Sequence, residues 1–248
     1  MPETFPLALV TGGARRIGKA LALSLARQGY ALILHYDQSV AEASATAAQI
    51  RALGVPVYAL QADLSDEDQI TRLFSEVDET SAGQGSLLGP LSVLVNSAAR
   101  MQRGAAGSQS AADFDATLDL NLRAPFLCAQ HAYRRMSSGG LIVNLSDVGA
   151  RQAWTGYPVY AASKAALESL TRSMARSFAP GVRVNAIAPG LVLPADDMPA
   201  ADWQRLVERL PLKRPASLVE IASSLEFLLK NEYITGQTIV VDGGYSLL

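Results

Sequence analysis

No excess of charge of either sign runs through this 248-residue chain: 21 basic residues stand against 23 acidic ones, a formal net charge of -2. That balance excludes an electrostatic nucleic-acid binder, and no block of like charge marks a tail or a membrane-binding patch. Cysteine is nearly absent. The single Cys128 excludes an intrachain disulfide, and no Cys/His cluster has the spacing of a zinc site. Within the apolar run PFLCAQ it reads as a small core residue. Long hydrophobic runs are lacking too. No apolar stretch approaches the roughly 20 residues that span a bilayer, and PLALV near the start is too short for a signal-peptide core. These absences predict a soluble, cytoplasmic protein of a reducing compartment that acts on a small molecule without a metal.

What is present is an alternation. Short apolar runs (PLALVTG, YALILHY, VPVYALQ, LSVLVN, GLIVNLS, VRVNAIAP and QTIVVDGG) are separated by amphipathic stretches that predict helices over about 17–28, 40–53, 66–79, 114–134 and 157–178. Apolar strands separated by helices predict a single α/β domain over 1–248, with a doubly wound parallel sheet covered on both faces. TSAGQGSLLGP, Thr80–Pro90, reads as a surface loop. The proline-rich segment of about 191–215 follows the carboxyl end of a strand, which makes it a candidate substrate lid; the plainer reading is a connector.

The first strand runs into TGGARRIGKA. A glycine-rich turn between strand and helix lets backbone N–H groups approach a pyrophosphate at the helix N-terminus. The spacing here is TGxxxxxG, with Gly12 and Gly18. Arg15 and Arg16 stand in the loop, where guanidinium forks suit an additional 2′-phosphate. At the end of the second strand Tyr36 occupies the place where NAD enzymes carry an acidic residue. Asp37, one residue on, opposes a phosphate, whereas Ser39 is a neutral donor. The balance favours NADP(H) over NAD(H).

In GYPVYAASK, Tyr160 and Lys164 have i,i+4 spacing, so phenol and ammonium share a helix face. A tyrosine with an ordinary pKa near 10 needs about 4 kcal/mol of differential stabilisation to drop about three units, which a desolvated lysine can supply. Tyr157 lies too far along the helix for that role and is expected to line the substrate space.

TGGARRIG, Asp63-Leu64, NSAA (Asn96–Ala99), Asn121, YAASK, VNAIAPG and ITGQTIVVDGG, in this order along nearly the whole chain, resemble the short-chain dehydrogenase/reductase family. The resemblance implies a Rossmann-type sheet of about seven strands in the order 3-2-1-4-5-6-7, hydride transfer from a nicotinamide, and a homotetramer. It makes Tyr160 the proton donor, Lys164 the holder of the nicotinamide ribose and Asn121 the support of a proton-relay water. It sets Asp63 and Leu64 beside the adenine, with Asn96, Ala98, Ile17, Pro189 and Gly190 along the cofactor and Leu193 toward the substrate.

Two departures narrow the resemblance. Arg16 replaces the usual second glycine of TGxxxGxG, and Asp147 replaces the serine expected before the tyrosine. Ser146 points to the opposite face if the strand continues. Both departures resemble the pteridine reductase branch, including bacterial dihydromonapterin reductases, as do LHYDQSVAEA, QADLSDE, PADDMPAADW and VDGGYSLL. There the arginine reaches cofactor and substrate, and the aspartate pairs with the tyrosine. A serine hydroxyl can donate to a carbonyl, whereas an ionised aspartate only accepts; Asp147 therefore suits a C=N group that gains positive charge on protonation. The alternatives are a structural role for Asp147, a reductase of carbonyls or 3-oxoacyl thioesters, and a non-catalytic nucleotide-binding regulator. In the pteridine branch an aromatic residue after the NSAA-type motif stacks on the pterin. Here that position is Met101, with Tyr157 and Trp203 the nearest alternative aromatics.

Overall fold

The computed structural model describes residues 4–83, 87–136, 139–196 and 198–248. Strands β1 (Phe5–Thr11), β2 (Ala31–Tyr36) and β3 (Val57–Gln61) alternate with helices α1 (Arg16–Arg27), α2 (Val40–Arg51) and α3 (Glu67–Ala82). After β4 (Leu88–Asn96) come α4 (Ala111–Leu118) and α5 (Ala124–Tyr133), then β5 (Gly140–Leu145), α6 (Pro158–Phe178) and β6 (Val182–Pro189). Helices α7 (Ala200–Arg209) and α8 (Leu218–Lys230) precede β7 (Thr238–Val241). All seven strands pair in parallel, in the expected order β3-β2-β1-β4-β5-β6-β7. Among the described residues, no helix is long and apolar enough to cross a membrane.

Side chains alternate across the pleat and feed two cores. Ala8 and Val10, Leu32 and Leu34, Val93 and Val95, and Leu141 and Val143 pack with Leu21 and Leu25 of α1 and with Ile221, Leu225 and Leu228 of α8. Leu7 and Leu9, Ala31 and Ile33, Leu94 and Ile142 face the other way, onto Phe74 of α3, Cys128 of α5 and Met174 of α6. Cys128 is fully buried, and burial pushes its thiol up to about 12, as befits an inert core residue.

Three segments differ from the sequence reading. The stretch 80–90 is not one loop. Helix α3 continues to Ala82, with Thr80 and Ser81 hydroxyls donating to carbonyls one turn back, and β4 already starts at Leu88, which pairs with Phe5. Pro90 is tolerated because the register shifts there between Phe5 and Leu7, at a bulge that needs no ladder donor. Residues 84–86 of that stretch lie outside the described residues. The helix read over 114–134 starts earlier, at a Ser110–Asp113 capping box. It is then interrupted by a π-helical turn over Asp119–Arg123. The segment 191–215 contains a helix of its own, α7, anchored by the buried Val207.

Candidate active site

The strand order reverses between β1 and β4, and a cleft of about 730 Å³ opens at the carboxyl ends of the strands there. A parallel sheet takes its ligands at that switch point, and the volume is of the size that accepts a cofactor. Gly12 and Gly18 form its floor. A Cβ on Gly18 would lie 2.1 Å from the Gly12 carbonyl oxygen, and one on Gly12, whose φ is +61°, would lie 2.9 Å from Ala98 Cα. Backbone approach this close is what the turn needs in order to bring its amides to a phosphate. Thr11 joins the two strand ends: its hydroxyl oxygen accepts from the Ser97 and Ala98 amides at 3.0 and 3.2 Å.

Around this floor the fold gathers most of the residues singled out from sequence. Arg15, Arg16, Ile17, Tyr36, Ser39, Asp63, Leu64 and Ala98 line the cleft, with Met101, Asp147, Tyr160, Lys164, Pro189, Gly190 and Leu193 further along it. Ser39 stands at the N-cap of α2 without capping it. Asp37 also lines the cleft and accepts from Gln61 Nε2 at 3.4 Å.

Asn96, Asn121, Tyr157 and Trp203 are not on the cleft wall. The Asn96 amide turns into the sheet, donating to Asn144 Oδ1 at 2.9 Å and to the Pro125 carbonyl at 3.3 Å. Asn121 lies in the π-helical turn, fully buried. Its Oδ1 accepts from the Arg100 amide, and its Nδ2 donates to the Arg100 carbonyl and to Ser163 Oγ. That turn, an irregularity frequent at functional sites, ties the segment after β4 to α6. Tyr157 is the N-cap of α6 and meets Trp154 edge-on, with 6.3 Å between ring centroids. Trp203 lies on α7.

The reacting groups sit where β5 ends against α6. Tyr160 is 6% exposed and Lys164 3%. The Tyr160 hydroxyl donates to Asp147 Oδ2 at 2.9 Å, while Asp147 Oδ1 accepts from the Gly149 amide at 2.7 Å. Burial raises the Asp147 carboxyl above its usual range, against the Gly149 and Tyr160 hydrogen bonds and the Lys164 charge that hold it down. Burial, reinforced by Asp147, raises the Tyr160 phenol well above its usual range. Lys164 Nζ donates to the Leu145 carbonyl at 2.7 Å and stands 5.8 Å from the Tyr160 ring centroid. Burial lowers its pKa to about 8, with Asp147 opposing. In this state the hydroxyl's partner is the carboxylate, and the net effect is to hold the phenol neutral. Ser146, between β5 and Asp147, also lines the cleft, and its hydroxyl donates to the buried Glu168 at 3.0 Å, which also accepts from Arg151 at 3.1 Å.

Arg16 adopts the left-handed backbone conformation, φ +53°, as the replaced glycine would. For a non-glycine residue this costs about 1–2 kcal/mol. Its guanidinium crosses the cleft to Asp196 Oδ1 at 3.1 Å and to the Pro194 carbonyl at 2.8 Å, and Arg15 reaches Asp196 Oδ2 at 3.6 Å. Both arginines thus fasten the segment after β6. Sequence reasoning missed His35 and Val192, which also line the cleft. The only signal for His35 was an ionisable ring at the end of an apolar strand; Val192 carried none. Among the described residues no cluster of His, Cys, Asp or Glu is arranged to hold a metal.

A family model described as enoyl-(acyl carrier protein) reductase matches residues 12–246. The 3-oxoacyl-(acyl-carrier-protein) reductase FabG of Staphylococcus aureus is 36% identical, covering 96% of this chain and 96% of its own length. The 1-cyclohexenylcarbonyl-CoA reductase of Streptomyces collinus is also 36% identical, over 98% of this chain and 87% of its own. Among solved structures, FolM alternative dihydrofolate reductase 1 from Brucella canis, complexed with NADP, superposes with a TM-score of 0.90 at 34% identity. That match covers 100% of this chain and 96% of FolM. With the Tyr160–Lys164 pair, the glycine floor and the strand order in place, the chain belongs to the short-chain dehydrogenase/reductase family of oxidoreductases.

Proposed function

We propose that this protein is an NADPH-dependent reductase of a C=N bond in a pterin-like ring, of the dihydropteridine or dihydromonapterin kind. The observation that carries the reading is the 2.9 Å hydrogen bond from Tyr160 to Asp147. An ionised carboxylate opposes an alkoxide forming beside it and favours a ring nitrogen that becomes cationic on protonation. Tyr160 gives its proton to the substrate nitrogen, and the ionised Asp147 beside it favours the positive charge that this creates. FolM, a structural relative by name a dihydrofolate reductase, supports the same substrate class.

The bound nicotinamide supplies the hydride. The chain's residues do the rest. Gly12 and Gly18 leave room for the pyrophosphate, with Ile17, Ala98, Pro189 and Gly190 along the cofactor. Asp63 and Leu64 border the adenine. Tyr36, Ser39, Arg15 and Arg16 take the 2′-phosphate end, and Lys164 holds the ribose beside Tyr160. Asn121 acts through the Arg100 segment and α6, which it fixes. Leu193 and Met101 border the substrate, with Tyr157 and Trp203 on the neighbouring elements. We read the protein as a cytoplasmic homotetramer on family resemblance.

A second reading, reduction of a carbonyl or 3-oxoacyl thioester, draws on the FabG relative and on Met101, which is 49% exposed where a stacking aromatic would be expected. Steady NADPH oxidation with dihydrobiopterin or dihydromonapterin, reduced about 10²–10⁴-fold in Tyr160→Phe, is the expected result. Turnover of an acetoacetyl thioester with no pterin accepted would overturn the reading in favour of the second.

A further inference from the structure

Strand β2, ALILHY, is apolar up to His35, whose side chain is almost completely buried under the phosphate loop. Two contacts fix the state of its ring. Nε2 lies 2.9 Å from the Ala62 carbonyl oxygen, and Nδ1 lies 3.1 Å from the Gly12 amide nitrogen. A carbonyl only accepts, so Nε2 must carry the proton; an amide N–H only donates, so Nδ1 must be bare. One tautomer satisfies both contacts, and it is neutral. The main chain adds a second hold, because the Gly13 amide donates to the His35 carbonyl at 3.0 Å. A single residue therefore secures both amides at the start of the loop and ties them to the end of β3.

We propose that His35 is the positioning residue of the cofactor's phosphate-binding loop, and that it holds Gly12 against the dinucleotide only as the neutral, Nε2-protonated tautomer. The proposal rests on the NADP(H) reading and is independent of the substrate. It follows from the steric limits described above. A side chain on Gly12 would collide with Ala98, and Gly18 packs on the Gly12 carbonyl. Fixing Gly12 therefore fixes the start of α1, where the pyrophosphate is expected to lie. A second proton on the ring would set N–H against N–H and release the loop.

The direction of the pH effect is determined by the surroundings. Burial lowers the His35 pKa below its usual 6.5, opposed by the Ala62 carbonyl and by Asp37 and Asp63. Those two carboxylates, at the ends of β2 and β3, are the charged groups whose fields reach the ring. On the loop itself Arg15 and Arg16 are drawn to Asp196, and Glu42 of α2 lines the same cleft. A released loop takes up the proton more readily than the fixed one. The hold is therefore complete above 6.5 and is lost as pH falls below it.

The test is the affinity for NADP⁺ of the wild type, His35→Gln and His35→Leu, by calorimetric titration from pH 8 down to pH 5, with circular dichroism to check folding. Glutamine offers an amide oxygen to Gly12 and an amide N–H to Ala62 but does not titrate. At pH 7.5 the wild type and His35→Gln should bind alike, within about threefold, and His35→Leu about tenfold or more weaker, as expected for an orphaned buried donor. On acidification the wild type should lose about threefold or more affinity relative to His35→Gln. The 2′-phosphate titrates in both and cancels in the ratio. A folded His35→Leu that binds as tightly as the wild type would overturn the proposal. So would parallel pH profiles for the wild type and His35→Gln, which decide the matter even if His35→Leu fails to fold. A wild type that does not bind NADP⁺ at pH 7.5 would overturn the proposal together with the cofactor reading, whereas failure of pterin turnover bears on the substrate alone.

Discussion

Two side chains, Asp147 and Lys164, compete for influence over the Tyr160 hydroxyl, and distance decides between them. The carboxylate is in hydrogen-bond contact at 2.9 Å, whereas the ammonium is tethered to the Leu145 carbonyl. The phenol is accordingly held neutral, and Lys164 is the group that titrates near physiological pH, at about 8. A lysine whose pKa is lowered loses its charge as pH rises through that value. We expect kcat/KM to fall above about pH 8, and the fall to be absent in a slower Lys164→Met enzyme. A wild-type profile flat to pH 10 would contradict a role for the lysine charge. The pairing of Tyr160 with Lys164 was legible because helical spacing fixes which side chains share a face. Asp147 was legible as an anomaly of residue type. The direction of the Tyr160 shift was not, since it depends on burial and on a contact between residues 13 apart. Nor was the inward turn of Asn96, because a motif fixes a position and not which side of a strand its amide faces.

At the scale of elements, the irregular segments carry the site. The π-helical turn lets Asn121 reach both Arg100 and Ser163 from within what reads in sequence as an unbroken helix. Nothing in the 3.6-residue pattern announces such a turn. Helix α7 is different: AADWQRLVER has its own amphipathic pattern and no proline, and only the prolines that flank it hid it, whereas the first residues of β4 read as part of a surface loop. In β4, pairing with β1 overrode that local preference. The segment after β6 is fastened by Arg16 and Arg15 through Asp196, in exposed ion pairs worth at most about 1 kcal/mol. A contact that weak is easily exchanged for a phosphate, which binds an arginine fork more strongly. Arg16→Ala should therefore weaken NADPH binding about tenfold or more while changing NADH binding little, a difference of about 1.4 kcal/mol. Equal losses for the two cofactors, read by fluorescence titration, would assign Arg16 to fastening the segment after β6 alone.

For the molecule as a whole, the parallel sheet is what makes the site possible. Seven strands running one way bring the ends of β1, β2, β3, β4, β5 and β6 to one edge, so residues from 12 to 193 line a single cleft. The parallel, helix-covered sheet was legible in apolar strands alternating with amphipathic helices, and its strand order in the family resemblance. What a shared architecture leaves open is the substrate, and the relatives divide accordingly between acyl thioester and dihydrofolate reductases. We propose that Asp147 makes that choice. The most direct test compares kcat/KM for a dihydropterin and for an acetoacetyl thioester, with NADPH, in the wild type and in Asp147→Ser. The wild type should prefer the pterin, and the preference of the serine variant should move toward the thioester by about 10²-fold, since a hydroxyl can donate to a carbonyl where the carboxylate cannot. A wild type that reduces the thioester and no pterin, or a preference unchanged by the substitution, would contradict it.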